Sequence, residues 1–125
     1  LLLSVEIGTF LVTLVTTTKI YNMKGVSEKT LERKFRERCI RKKAKCLKLP
    51  AGIEAGLPDR LILLPVTGHG LFAAPVTAFA EIKTTGKKPT PIQRVKHEEL
   101  RRMGYRVFVI DSNETLEQAC KELNL

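Results

Sequence analysis

Gly56-Leu57-Pro58-Asp59-Arg60-Leu61-Ile62-Leu63-Leu64-Pro65 sets an acid and a base side by side at the mouth of a strongly apolar run. Glycine and proline restrict the backbone ahead of Asp59, and the apolar run 61–64 has the length and composition of a buried strand. A carboxylate at that point is costly unless something at the end of the strand uses it. A second stretch, Ala80-Glu81-Ile82-Lys83, offers a partner. Within a strand Glu81 and Lys83 leave the same face and Ile82 leaves the other. Two charges spaced by two in an apolar strand mark that face as a site. The plainer alternative is a salt-bridged pair on a solvent face.

Working outward from these two strands, Ser27 is set to cap a helix over 28–45, with acids in its first turns and Arg41, Lys42 and Lys43 near its end. At 100° per residue, Leu31, Phe35 and Cys39 form a narrow core-facing arc; Glu28 falls inside that arc and Glu32 at its edge. An acid on such a stripe implies a partner or a metal. Alternation over 45–49 predicts a first strand and 50–56 a loop. Residues 61–64 form the second strand, 66–77 a long connection and 79–83 the third strand, followed by a basic turn over 84–88. Thr90-Pro91 opens a helix that runs to about Met103 and stops at Gly104. A strand over 105–110 and a helix over 114–124 complete the order αβββαβα. This is an α/β protein with a mixed β-sheet flanked by helices.

The 125 residues suffice for one core. Lys and Arg number 22 against 13 Asp and Glu, a net charge of +9. The excess is local: residues 24–48 hold 11 basic and 3 acidic side chains, and residues 83–106 hold 8 and 2. Two basic segments around a nearly neutral middle suit a polyanionic partner such as nucleic acid, although two amphipathic helices with solvated outer faces would have the same composition. Three cysteines without a CxxC pairing argue against a zinc site or a disulfide scaffold and fit a cytoplasmic protein. Residues 1–22 are apolar, β-branched and interrupted by Glu6. They read as an extension preceding a domain over 23–125, and neither as a membrane span nor as a signal peptide.

If the connection brings Asp59 beside Glu81, two carboxylates share one place and resist joint ionisation. A divalent cation relieves that repulsion: Mg2+ takes hard oxygen ligands and keeps several waters. Lys83 alongside can position a water or stabilise charge developing on a phosphate. The expected chemistry is metal-assisted hydrolysis of a phosphodiester.

Gly56-x-Pro58-Asp59 followed by Glu81-x-Lys83 resembles the PD-(D/E)xK nuclease signature, and the wider pattern resembles the VRR-NUC family of virus-type replication and repair nucleases. The similarity runs in order from Ser27-Glu28-Lys29 opening the first helix to Val109-Ile110-Asp111-Ser112 on the last strand. It implies a restriction-endonuclease-like core, with Asp59 and Glu81 binding Mg2+ or Mn2+, Lys83 as the catalytic lysine and Gln93 as a helix glutamine facing the site. A first-helix acid, Glu28 or Glu32, would complete the metal shell. The expected substrate is DNA, branched or flapped, cut by a stand-alone phage-type protein that acts as a possible homodimer. The long 66–77 connection departs from the tight hairpin of small family members.

Several of these residues have plainer roles. Thr90-x-x-Gln93 is a capping box. Arg60 can pair with a neighbouring acid or touch phosphate. Lys87, Lys88, Arg41, Lys42 and Lys43 are expected phosphate contacts or simply solvated side chains, and His97 is placed on a helix surface. The rival to a nuclease is a DNA-binding module that keeps the fold without cleavage. A peripheral membrane protein, using the apolar N-terminus and the basic helix, is the third possibility.

Overall fold

The computed structural model describes residues 25–66 and 73–125. The expectations for residues 1–22 and for the middle of the 66–77 connection lie outside the described residues. Helix α1 (Glu28–Arg41) leads to strand β1 (Lys45–Lys48), then β2 (Arg60–Leu64) and β3 (Val76–Ile82). Helix α2 (Pro91–Arg102), strand β4 (Arg106–Ile110) and helix α3 (Asn113–Leu123) complete the order. The predicted αβββαβα succession therefore holds, as does the mixed sheet. Strands β1, β2 and β3 pair antiparallel and β4 joins β3 in parallel, in the spatial order β1-β2-β3-β4.

The boundaries shift where tertiary contacts outweigh local pattern. The first helix stops at Arg41 rather than near 45, because Lys43 takes a left-handed conformation (φ 57°) and turns the chain into β1. The third strand begins at Val76, not Phe79, since Leu64 and Leu63 pair with Val76 and Thr77. That pairing shortens the connection between β2 and β3.

One face of the sheet makes the core. Leu31, Phe35 and Cys39 of α1, on the predicted arc, meet Ile62, Ala78, Ala80, Ile82 and Ile110 of the sheet. Leu116, Ala119, Cys120 and Leu123 of α3 join the same cluster. The buried alanines at the centre of β3 leave room for α1 to lie close to the sheet. The other face carries the odd-numbered residues of β3 and is partly covered by α2, the crossover between the parallel strands. Its packing is lighter: Phe79 and Tyr105 meet edge to face, with ring centroids 5.6 Å apart, and Leu47 and Leu63 remain exposed. Among the described residues no helix is long and apolar enough to cross a membrane.

The loop ahead of Asp59 is held against α2 through Gly56. Its φ is +83°, and a Cβ there would lie 2.7 Å from the Ile92 carbonyl oxygen. Gly56→Ala is therefore expected to lower stability by about 2–3 kcal/mol, from left-handed backbone strain together with the clash. Urea denaturation of the two proteins measures the difference.

Candidate active site

The register places the central residues. Arg60 pairs with Ala80 across the β2–β3 ladder, so Asp59, one residue before β2, stands opposite Glu81. Both side chains leave the α2 side of the sheet, whereas Arg60 leaves the core side. Glu81 is 4% exposed, at the centre of a small hydrogen-bond network. Its Oε2 accepts the Asp59 backbone N–H at 3.1 Å. Its Oε1 accepts the Gln93 side-chain amide at 2.9 Å and is 2.9 Å from the Lys83 ammonium. Asp59 Oδ1 in turn accepts the Ile82 backbone N–H at 3.4 Å. Lys83 is extended into place because its own N–H bonds the Ile110 carbonyl at 2.8 Å, continuing the β3–β4 pairing past the end of the strand.

Gln93 fills both of the roles that the sequence left open. Its side-chain oxygen accepts the Thr90 backbone N–H at 2.9 Å while Thr90 Oγ1 accepts the Gln93 N–H, closing the capping box. Its amide nitrogen then remains free to donate to Glu81. The cap fixes the rotamer that reaches the site.

The two first-helix acids divide. Glu32 is ion-paired with Arg60, whose guanidinium is buried at 6% side-chain exposure. Glu28 is exposed at the first turn of α1, not buried on the apolar stripe as its helical angle implied, because the buried stripe of the helix begins only at Leu31. Its charge still acts on Asp59, as a smaller contribution than burial and Glu81. Of the two acids, Glu32 is the one engaged in the fold, through Arg60. Of the two roles the sequence left open for Arg60, the structure shows the pairing with an acid: the side chain is inside, held by Glu32, with its Nε left without a partner among the described residues.

Burial, then the Glu81 charge, pushes the Asp59 carboxyl up to about 6, with a smaller push from Glu28; the Ile82 N–H and Lys83 pull the other way. A cleft of about 470 Å3 opens over the pair, lined by Asp59, Glu81, Gln93, Lys48 and the loop from Leu49 to Pro58. Among the described residues no group of three or more His, Cys, Asp or Glu side chains is gathered as a metal cage. The donor set nonetheless fits a hard cation that keeps most of its waters, because such an ion needs only one or two carboxylates from the protein.

Lys87 and Lys88 are exposed in the turn that follows Lys83, close to the site along the chain. Arg41, Lys42 and Lys43 are exposed at the opposite end of α1 from Glu28. Fourteen helical residues put them roughly 20 Å from Glu28. Two residues escaped the sequence reading. Thr85 accepts the Val26 N–H at 3.0 Å and donates to the Asp111 carbonyl at 2.8 Å, tying the entry to α1 and the end of β4 to the turn after Lys83. His97, assigned to a helix surface, is 2% exposed. The signal for His97 was its place four residues after Gln93, on the same helical face.

No family model matches the chain. A curated relative, "Putative nuclease p44" of Acyrthosiphon pisum secondary endosymbiont phage 1, is 41% identical over 59 residues, which make up 47% of this chain and 55% of that protein. The chain thus spans about half the length of the curated relative it matches. A solved structure described as "VRR_NUC domain" superposes with a TM-score of 0.64 at 26% identity, over 77% of this chain and 97% of that one.

Two outcomes follow from this geometry. Glu32→Gln should destabilise the protein by about 2–3 kcal/mol by stranding the buried Arg60 charge, while Glu28→Gln stays within about 0.5 kcal/mol of the parent; urea denaturation separates them. In the metal-free protein the raised folded-state value of Asp59 means that its protonated form favours folding. That contribution is full below its ordinary value of 3.8 and is lost as pH rises through about 6. Melting temperatures recorded from pH 4 to pH 7 should therefore fall over that window by the equivalent of about 1–2 kcal/mol, and Asp59→Asn should flatten the decline.

Proposed function

We propose that the chain is a VRR-NUC-type DNA endonuclease that hydrolyses phosphodiester bonds with the help of Mg2+ or Mn2+, a reading that its likeness to a solved VRR_NUC domain supports. The observation that supports the reading most is the opposition of Asp59 and Glu81 across the β2–β3 ladder, with Lys83 bonded to the same carboxylate. Asp59 and Glu81, with Glu28 reaching in from α1, would hold the ion, which when bound supplies charge to neutralise the phosphate and a water made acidic enough to attack it.

The chain's own residues do the rest. The Asp59 N–H and the Gln93 amide fix the Glu81 carboxylate, so its oxygens need no reorganisation when the substrate arrives. Lys83, 20% exposed, keeps one N–H on Glu81 and can aim the others at the cleft. There they would orient the attacking water or stabilise the extra charge on the phosphate. Lys87 and Lys88, a few residues after Lys83 in the chain, and the remoter Arg41, Lys42 and Lys43 are read as backbone contacts. Such contacts position DNA without reading its sequence. A preference for branched or flapped DNA belongs to this reading. So does a homodimer, to which the exposed Leu47 and Leu63 on the half of the sheet not covered by α2 would lend an apolar surface.

Cleavage of a labelled four-way junction, a flap and a linear duplex tests the proposal, each with Mg2+, Mn2+ or EDTA. The expected result is metal-dependent cutting that falls by about 100-fold or more in Lys83→Ala, with branched substrates cut fastest. Binding without cutting in any metal would instead identify a DNA-binding module of the same fold.

A further inference from the structure

Among the described residues two buried side-chain atoms lack a hydrogen-bond partner, Arg60 Nε and His97 Nε2. The Arg60 guanidinium is otherwise engaged by Glu32. His97 is the one buried residue of α2, at a place where an aliphatic side chain would pack without penalty. A polar atom left unpaired there costs about 1–3 kcal/mol. A cost of that size at a packing position points to a use.

The position of the ring suggests the use. His97 lies four residues after Gln93 on the helical face turned to the sheet, and helical side chains lean toward the N-terminus of their helix. The imidazole is thereby directed toward the turn from which Gln93 reaches Glu81 Oε1. The charges that act on it are those of Glu81, Arg101 and Lys83. Arg101 is occupied elsewhere, donating to the Val107 carbonyl at 2.9 Å. Burial lowers the pKa of the ring, so it is a neutral imidazole with one nitrogen free to accept or donate. A buried water needs two or more polar partners. Nε2, the Glu81 carboxylate and the Lys83 ammonium together can meet that need.

We infer that His97 is a positioning residue of the site, its Nε2 holding a buried water that ties α2 to the Glu81–Lys83 pair and fixes the direction of both side chains. The inference rests on the nuclease reading. It differs from that reading in assigning a role to a residue that touches neither DNA nor the reacting atoms.

The test compares His97→Gln, His97→Asn and His97→Phe in the full chain, by calorimetric titration with Mn2+ and by thermal denaturation without metal. Glutamine places a polar nitrogen near the ε position, asparagine places one only near the δ position, and phenylalanine fills the space with none. Loss of a side chain that orients a metal ligand weakens affinity by about ten-fold or more. That loss is expected in His97→Phe and His97→Asn, whereas His97→Gln should stay within about three-fold of the parent. Thermal denaturation without metal is expected to show a cooperative transition in each variant, so that the Mn2+ affinities compare folded proteins. If His97→Phe does not fold, the contrast between glutamine and asparagine decides. Equal Mn2+ affinity in those two variants, or parental affinity in His97→Phe, overturns the inference and leaves the nuclease reading intact. A parent protein that neither binds Mn2+ nor cuts DNA overturns the nuclease reading itself.

Discussion

A carboxylate buried on the second-last residue of a central strand is the constraint on which the rest of this structure depends. An unpaired charge at 4% exposure would cost several kcal/mol. Glu81 is acceptable because three donors converge on it: the Asp59 N–H from the mouth of β2, the Gln93 amide from α2 and the Lys83 ammonium from beyond the end of β3. Each donor comes from a different part of the chain. The β2–β3 register, the seating of α2 on the sheet and the continuation of β3 past Ile82 must therefore all be right together. The contacts that satisfy the charge are the same ones that define the cleft.

The acid and base that stand next to each other at residues 59 and 60 do not pair. Strand alternation sends Asp59 to the α2 face and Arg60 to the core face, where Glu32 waits on α1. One dipeptide thus serves two layers. On the core side it introduces a buried ion pair that ties α1 to the start of β2. On the other side it sets a second carboxylate against Glu81, and the sheet holds the two at a separation that like charges resist. The raised Asp59 value is the electrostatic mark of that arrangement.

Much of this was legible because it depends on short-range geometry. The two-residue period makes Glu81 and Lys83 neighbours wherever the strand lies, and the helical period puts Leu31, Phe35 and Cys39 on one stripe. The Thr90–Gln93 cap is a local motif. What could not be read was any choice made by packing at a distance. The roles of Glu28 and Glu32 turn on where the core ends relative to α1, which the helical angle alone does not reveal. The choice of an acid partner for Arg60 depends on the parity of β2 relative to the core, which turns its first residue inward toward α1. The start of β3 at Val76 depends on pairing with Leu64, across a connection whose length masks the hairpin. His97 looked superficial because its neighbours on α2, Lys96 and Glu98, are charged. Its burial follows from its place on the face of α2 that Gln93 turns to the sheet.

The same geometry explains why stability and site must be balanced within so small a chain. The site side of the sheet contributes little to the apolar core: α2 buries only His97, Leu47 and Leu63 stay exposed, and Asp59 opposes folding once it ionises. The compensation lies on the opposite face, where α1 and α3 close over Ile62, Ala78, Ala80, Ile82 and Ile110. Glycine at 56 and threonine at 85 then transmit that rigidity, one by pressing the loop before Asp59 onto α2, the other by joining α1 and β4 to the turn after Lys83. A sheet packed well on one face and sparsely on the other can hold charged groups in place without enclosing them. On the nuclease reading the cleft needs that asymmetry to admit a polyanion, because a second tight layer over Glu81 would satisfy the fold and close the site.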